Sequence, residues 1–168
     1  MVFFFDEGRF GLQPVIGRCW ALKGVRKKST IKPGYKFYYL YSSVSPHTGE
    51  NFTLLLPWVN TTVMNIYLNK LSECYGDKEI MLIMDQAGWH KSKDLMIPEN
   101  IQIEYLPPYS PELNPIERLW QRIKRHACRN RLFESTENLF EAIGTALAQM
   151  SKDDYSKLCN CNYLLNHN

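Results

Sequence analysis

The rhythm of apolar positions changes at about Pro57. Before it, short apolar runs alternate with turn residues. Val2–Phe5 stops at Asp6, an alternating piece spans about Val15–Leu22, and a Gly24–Gly34 loop leads into Tyr35–Val44, rich in Tyr, Phe and Val. Ser45-Pro46-His47-Thr48-Gly49 then separates that stretch from Phe52–Leu56, which reads as a hairpin. Three or four strands with short links open the chain, so antiparallel pairing is expected there. After Pro57 the period lengthens: Val63, Ile66, Tyr67, Lys70 (through its stem), Leu71 and Cys74 fall at helical spacing over Thr62–Cys74, and Gly76 closes the helix. Ile80–Met84 is a continuous apolar run, the mark of a strand covered on both faces. A short helix over Lys93–Met96, a strand over Ile101–Leu106, a long helix after Pro115, another from about Thr136 to Met150 and a last one over Lys152–Leu158 complete the pattern. This order predicts an α/β fold, a mixed sheet with helical covers.

Composition bounds this picture without changing it. The 168 residues are 45% hydrophobic and 13% aromatic, enough to bury a core in one domain, and no repeat or linker divides them. No apolar run is long enough to span a membrane, and the MVFFFDEGRF start carries no basic region like that of a secretory signal, so a cytoplasmic location is the expectation. Five cysteines at irregular spacing do not form a disulfide framework. His126-x-Cys128 with Cys159-x-Cys161 makes a poor zinc set, because residues two apart on a helix point away from each other.

The net charge of +3 is mild, but its distribution is not uniform. Arg26, Lys27, Lys28 and Lys32 crowd one loop, and Arg118 to Arg131 holds six Lys/Arg and no acid. Local basic patches of this kind suit a polyanion bound at a defined surface, or simply solvated faces. On a helical wheel Ile116, Leu119, Trp120, Ile123 and Ala127 share the core face. Arg118, Arg122, Arg125 and Arg129 lie nearly opposite, and Glu117, Gln121 and Lys124 occupy the flank. The arginines are candidate phosphate contacts, Lys124 could reach a phosphate, and Trp120 is assigned to the core.

Two apolar runs end on an acid, VFFFD at Asp6 and IMLIMD at Asp85. A carboxylate at the end of a buried strand needs a partner, and strand carboxyl ends are where α/β sheets build sites. If the two strands are neighbours, the two acids converge and their repulsion favours a divalent cation. Glu117 opens the helix after "LPPYSPELNP", where Asn114 as N-cap, Pro115 at the first helical position and Glu117 two residues on make a well-formed helix start. Two Asp and one Glu are hard oxygen donors suited to Mg²⁺ or Mn²⁺, and such a set can hold two ions for phosphodiester chemistry. His90, shortly after Asp85, either touches nucleic acid, orders the site, or is an ordinary surface or core-edge histidine. Tyr109, in the proline elbow, is expected to pack and so fix Glu117.

"DEGRFGLQPVIGRCWALKG", "LIMDQAGWH" and "LPPYSPELNPIERLWQRIK" resemble three blocks of the catalytic domain of mariner-like transposases and the related bacterial insertion-sequence transposases, within the DDE superfamily. The resemblance runs from Asp6 to about Phe133. It implies a ribonuclease H-like fold, with a five-stranded mixed sheet of three antiparallel then parallel strands, and Asp6, Asp85 and Glu117 as the catalytic, metal-binding triad. It also implies Mg²⁺- or Mn²⁺-dependent hydrolysis at transposon ends, followed by attack of the freed 3′-hydroxyl on target DNA. The partners it implies are double-stranded DNA, as terminal inverted repeats and target, and a second copy of the chain. Arg26, Lys27, Lys28, His90, Arg118, Arg122, Lys124, Arg125 and Arg129 are the candidate DNA contacts. Gln86 stands where the family commonly has Asn; both are uncharged amides. The family's N-terminal helix-turn-helix region has no counterpart in these residues, so the expectation is a catalytic domain over 1–168 with a helical tail from about 134, and an upstream helix-turn-helix polypeptide as a candidate partner. A structure-selective nuclease of the same fold and a catalytically silent DNA-binding remnant remain the alternatives.

Overall fold

A computed structural model describes residues 1–17, 20, 22–24 and 36–161. Among these residues, the strands β1 (Val2–Gly11), β2 (Phe37–Val44) and β3 (Asn51–Leu56) make an antiparallel meander, while β4 (Ile80–Met84) and β5 (Ile101–Tyr105) add to β1 in parallel. These five strands form one sheet in the order β3-β2-β1-β4-β5. α1 (Thr61–Tyr75) covers one face; α2 (Ile116–Ile123), α3 (Thr136–Ala148) and α4 (Lys152–Leu158) cover the other. Among the described residues, no helix is long and apolar enough to cross a membrane.

The two-residue period of β1 sorts its side chains between these layers. Phe3 and Phe5 are fully buried against α1 with Tyr67, Leu68 and Leu71. Phe4 and Phe10 pack on the opposite face with Leu119, Trp120 and Ile123 of α2. Gly8 belongs to that second face, and a Cβ there would lie 2.7 Å from Trp120 Cδ2, so the bare backbone is what lets the indole lie flat on the strand.

Several boundaries differ from the sequence pattern, for local reasons. β1 does not stop at Asp6 but runs through it to Gly11, because β2 continues to pair with it after β4 has ended. The expected strand over Val15–Leu22 is not present in its described residues; Val15 makes an isolated bridge to Arg129. The expected Lys93–Met96 helix does not form, and the short 3₁₀ turn of this region is Gly88–His90 instead. Asn65 of α1 explains part of this, since its side chain takes the Met96 N–H (2.8 Å) and donates to the Asp94 carbonyl (3.0 Å), satisfying that backbone without a helix. The long helix after Pro115 is regular only to Ile123 and then widens into a π-helical turn over Lys124–Cys128.

Candidate active site

Extending the parallel register of β1 and β4 brings two acids together. Phe4 is paired with Ile83, so two further steps along both strands place Asp6 beside Asp85. Asp85 is the first residue beyond β4, whereas Asp6 lies within β1 at the point where that strand has lost its β4 neighbour. Glu117 arrives from the first turn of α2. All three line one cleft of about 480 Å³, together with Gln86, Tyr109 and Asn114. A larger, more open groove of about 750 Å³ follows α3, away from all three acids.

Asn114 positions α2 against the sheet. Its buried side-chain amide donates to the Phe5 carbonyl (2.9 Å), and its side-chain oxygen accepts from the Ile116 N–H (3.2 Å). The helix start differs by one residue from that expected: α2 begins at Ile116 with Pro115, not Asn114, at its cap position, although Asn114 still takes the Ile116 N–H. No hydrogen bond from Glu117 back to the Asn114 backbone is present among the described residues. Glu117 is exposed and faces the cleft instead.

Asp6 is held by Trp120, whose indole N–H donates to Oδ2 at 2.7 Å. Burial pushes the Asp6 carboxyl up to about 7; the indole hydrogen bond opposes this, and the charges of Glu7 and Glu117 add to the rise. Asp85 is treated differently. His90 Nδ1 lies 2.8 Å from its Oδ1 and the Ala87 N–H donates to the same oxygen at 3.0 Å. The His90 hydrogen bond holds Asp85 below the usual carboxylate range, against partial burial. His90 itself is 1% exposed, with its other ring nitrogen 2.9 Å from Glu7 Oε1. Burial works against its charge, but the hydrogen bonds to Asp85 and Glu7 win and push its pKa up to about 9. Both ring nitrogens face carboxylate oxygens, so both carry protons.

The basic residues are less uniform than the wheel suggests. Arg118 donates to the Leu158 and Asn160 carbonyls (3.3 and 2.6 Å) and so ties α2 to the end of α4. Arg129 follows the π-turn with extended backbone and packs beside Gly17, so it does not continue a helical stripe. Arg122 and Arg125 are exposed, and Lys124 lies over the Phe10 ring at 5.7 Å, lining a second cleft with Arg9. Arg26, Lys27, Lys28 and Lys32 lie outside the described residues. His90 is too buried to contact DNA, which corrects its place among the candidate contacts. Tyr109 does not pack: it is fully exposed at the cleft, with a left-handed φ of 58°. His126 is exposed while Cys159 and Cys161 are buried, and the described cysteines are free.

Sequence reasoning did not single out Glu7, Trp89 or the Trp120–Asp6 bond. The signal for Glu7 was present in the two-residue strand period, which sends it to the face opposite Asp6. Among the described residues, no three His, Cys, Asp or Glu side chains are gathered closely enough to hold a metal ion as they stand. Asp85 is turned onto His90 and Asp6 onto Trp120. The donor set nonetheless fits a hard divalent cation: it is made of carboxylates, and Asp6 is burdened by neighbouring negative charge that a cation would relieve.

A mixed sheet with helices on both faces thus brings acids from β1, the end of β4 and the start of α2 into one cleft. The chain belongs to the DDE superfamily endonucleases, whose sequence profile matches residues 1–140. Among curated proteins it is similar to an uncharacterised protein, y4pE/y4sA, of Sinorhizobium fredii (37% identity over 102 residues, 60% of this chain and 76% of that protein). It is also similar to an uncharacterised 39 kDa protein of insertion element IS630 from Shigella sonnei (32% over 148 residues, 84% of this chain and 43% of that protein). Among solved structures, the catalytic domain of Mos1 mariner transposase superposes with a TM-score of 0.67 at 16% identity, covering 94% of this chain and 74% of that one. A pre-cleavage Mos1 transpososome gives 0.74 at 18%, covering 94% and 51%. This likeness, with the strand order, establishes a ribonuclease H-like fold. The chain spans about half the length of the IS630 protein and of the Mos1 chain in its DNA complexes.

Proposed function

We propose that the chain is the catalytic part of a DNA transposase that cleaves phosphodiester bonds at transposon ends and joins the freed ends to target DNA. The observation that carries this reading is the meeting of Asp6, Asp85 and Glu117 in one cleft from three separate elements. Membership of an endonuclease family and the mariner-type fold support it, as does the similarity to an insertion-element protein. Asp6, Asp85 and Glu117 are the residues that would hold Mg²⁺ or Mn²⁺, in keeping with Mos1 paired-end complexes described with either metal. Two such ions, when bound, supply stabilisation of negative charge on the attacking and leaving oxygens. The chain's own residues prepare this. Trp120 orients Asp6, Asn114 aims the first turn of α2, and Gln86 donates to the Leu106 carbonyl at 2.8 Å, joining the ends of β4 and β5 beside the cleft.

Arg122, Lys124 and Arg125, which face solvent on or just after α2, are the described residues best placed to track a DNA backbone. Arg26, Lys27 and Lys28 complete the proposed contact set. Terminal inverted repeats and target DNA are the proposed partners, with a second copy of the chain and a helix-turn-helix polypeptide as assembly partners. The cytoplasm of a bacterial cell is the proposed location.

The test incubates the purified chain with a labelled duplex carrying the inverted repeats that flank its coding sequence, with and without Mg²⁺ or Mn²⁺. Metal-dependent cleavage at the repeat end, and joining of the 3′-end to a second duplex, is the expected result. Cleavage of RNA–DNA hybrids or junctions without any joining would instead identify a structure-selective nuclease.

A further inference from the structure

Adjacent acids on β1 do different things. Asp6 turns to the α2 face and meets Trp120, whereas Glu7 turns to the α1 face and is taken up by a buried cluster. One oxygen of Glu7, Oε1, lies 2.9 Å from His90 Nε2 and accepts from the Trp89 indole N–H at 3.1 Å. His90 is packed edge-on to Phe5 (ring centroids 5.6 Å apart), and its carbonyl accepts from the Tyr105 hydroxyl at 2.6 Å. Its remaining nitrogen, Nδ1, lies 2.8 Å from Asp85 Oδ1. A continuous path thus runs from the middle of β1, through one buried ring, to an acid of the cleft at the end of β4.

We propose that Glu7 and His90 are positioning residues that set the orientation of the Asp85 carboxylate. The proposal rests on the reading of Asp85 as a metal ligand. A carboxylate on an exposed turn rotates freely about its terminal bond, but here Oδ1 is fixed by His90 and by the Ala87 N–H. Among the described residues no hydrogen bond reaches Oδ2, which is therefore the oxygen left for a cation. His90 cannot serve unless its own ring is fixed, and Glu7 does that from the opposite edge, with Trp89 holding Glu7 in turn. Neither Glu7 nor His90 lines the cleft. Outer partners that orient a ligand in this way typically alter metal affinity by about 10–100-fold when removed.

Equilibrium binding of Mn²⁺ to the full chain without DNA, followed by the electron paramagnetic resonance of free Mn²⁺, tests this without relying on turnover. His90→Ala and Glu7→Ala are each expected to weaken Mn²⁺ binding by roughly 10–100-fold. The double variant should be no weaker than His90→Ala alone, because both act along one path. His90→Asn places an amide N–H near the position of Nδ1 and is expected to recover most of the affinity. Leu71→Ala, a cavity in the same α1 layer far along the helix from the cleft, controls for general loosening and should leave Mn²⁺ affinity unchanged. Parent-like binding by His90→Ala, additive losses in the double variant, or an equal loss in Leu71→Ala would each overturn the proposal. If His90→Ala does not fold, Glu7→Ala and His90→Asn carry the same comparison. Asp85→Asn separates the two layers. Parent-like binding by that variant defeats the reading of Asp85 as a ligand, whereas loss there with retention in the His90 and Glu7 variants defeats only the positioning role.

Discussion

Gly8→Ala adds one methyl group two residues from Asp6, and its cost follows from the packing. The new Cβ would lie 2.7 Å from Trp120 Cδ2, 2.9 Å from Trp120 Cε2 and 2.9 Å from Phe10 Cε2, all well inside contact distance. None of these atoms is the end of a flexible chain; the indole is 3% exposed and fixed by its bond to Asp6. Overpacking a filled core costs about 1–3 kcal/mol. Displacing the indole also strains or breaks a hydrogen bond to the Asp6 carboxyl, worth about 0.5–3 kcal/mol across its neutral and ionised forms. The two together predict a loss of about 1.5–6 kcal/mol. In a chain of this size that lowers Tm by roughly 3–24 °C, at about 2–4 °C per kcal/mol. Thermal unfolding by circular dichroism measures it, and a second site makes it specific. Trp120→Ala removes the ring that the methyl strikes, so Gly8→Ala should cost about 1–3 kcal/mol less in that background. A Tm drop of under about 2 °C, or the same cost in both backgrounds, would refute the claim that Gly8 exists to seat Trp120 over Asp6.

Three further outcomes follow from individual contacts. Tyr109→Gly removes a left-handed non-glycine residue, costing about 1–2 kcal/mol where it stands, against about 0.5–1 kcal/mol of added chain entropy. Melting should show equal or slightly higher stability while DNA cleavage falls; unchanged cleavage would make the exposed ring a turn residue and nothing more. Arg118→Ala should lose about 1–3 kcal/mol locally, seen as faster hydrogen exchange in α4, with DNA affinity unchanged. Weaker DNA binding without that loss of protection would return Arg118 to the phosphate-contact set. Burial pushes the Cys159 thiol up to about 12, so the folded state prefers it protonated. Its contribution is complete below the ordinary thiol pKa of 9.0 and is lost as pH rises toward 12, at about 1.4 kcal/mol per unit once the unfolded chain ionises. Cys159→Ala should flatten the fall in stability measured by urea titration above pH 9; an identical fall would show that other groups set it.

Period and apolar continuity made most of the framework legible. Ile80–Met84 and Lys152–Leu158 have the limits expected from the sequence, because a two-face-buried run and a Ser151 cap mark their ends locally. The errors occurred where a distant partner decides the backbone. Asn65 satisfies the backbone of 94–96 from α1, and β2 extends β1 past Asp6. The widening of the helix after Ile123 and the capture of Arg118 by the end of α4 break the arginine stripe. At the site, Asp85 and Glu117 were readable as a strand end and a helix start, whereas Asp6 lies within β1 at the point where its pairing with β4 has ended. The contacts of Glu7 and Trp89, and the choice among the alternatives open for His90, were not readable, since they depend on two segments some 80 residues apart in sequence meeting across the sheet.

The most direct test of the central claim is Mn²⁺-dependent nicking of the repeat-end duplex by Asp6→Asn, Asp85→Asn and Glu117→Gln, each assayed beside its DNA affinity. Every one of the three should lose nicking while binding DNA as the parent does. Parent-level nicking by any one of them would remove that acid from the site and contradict the triad.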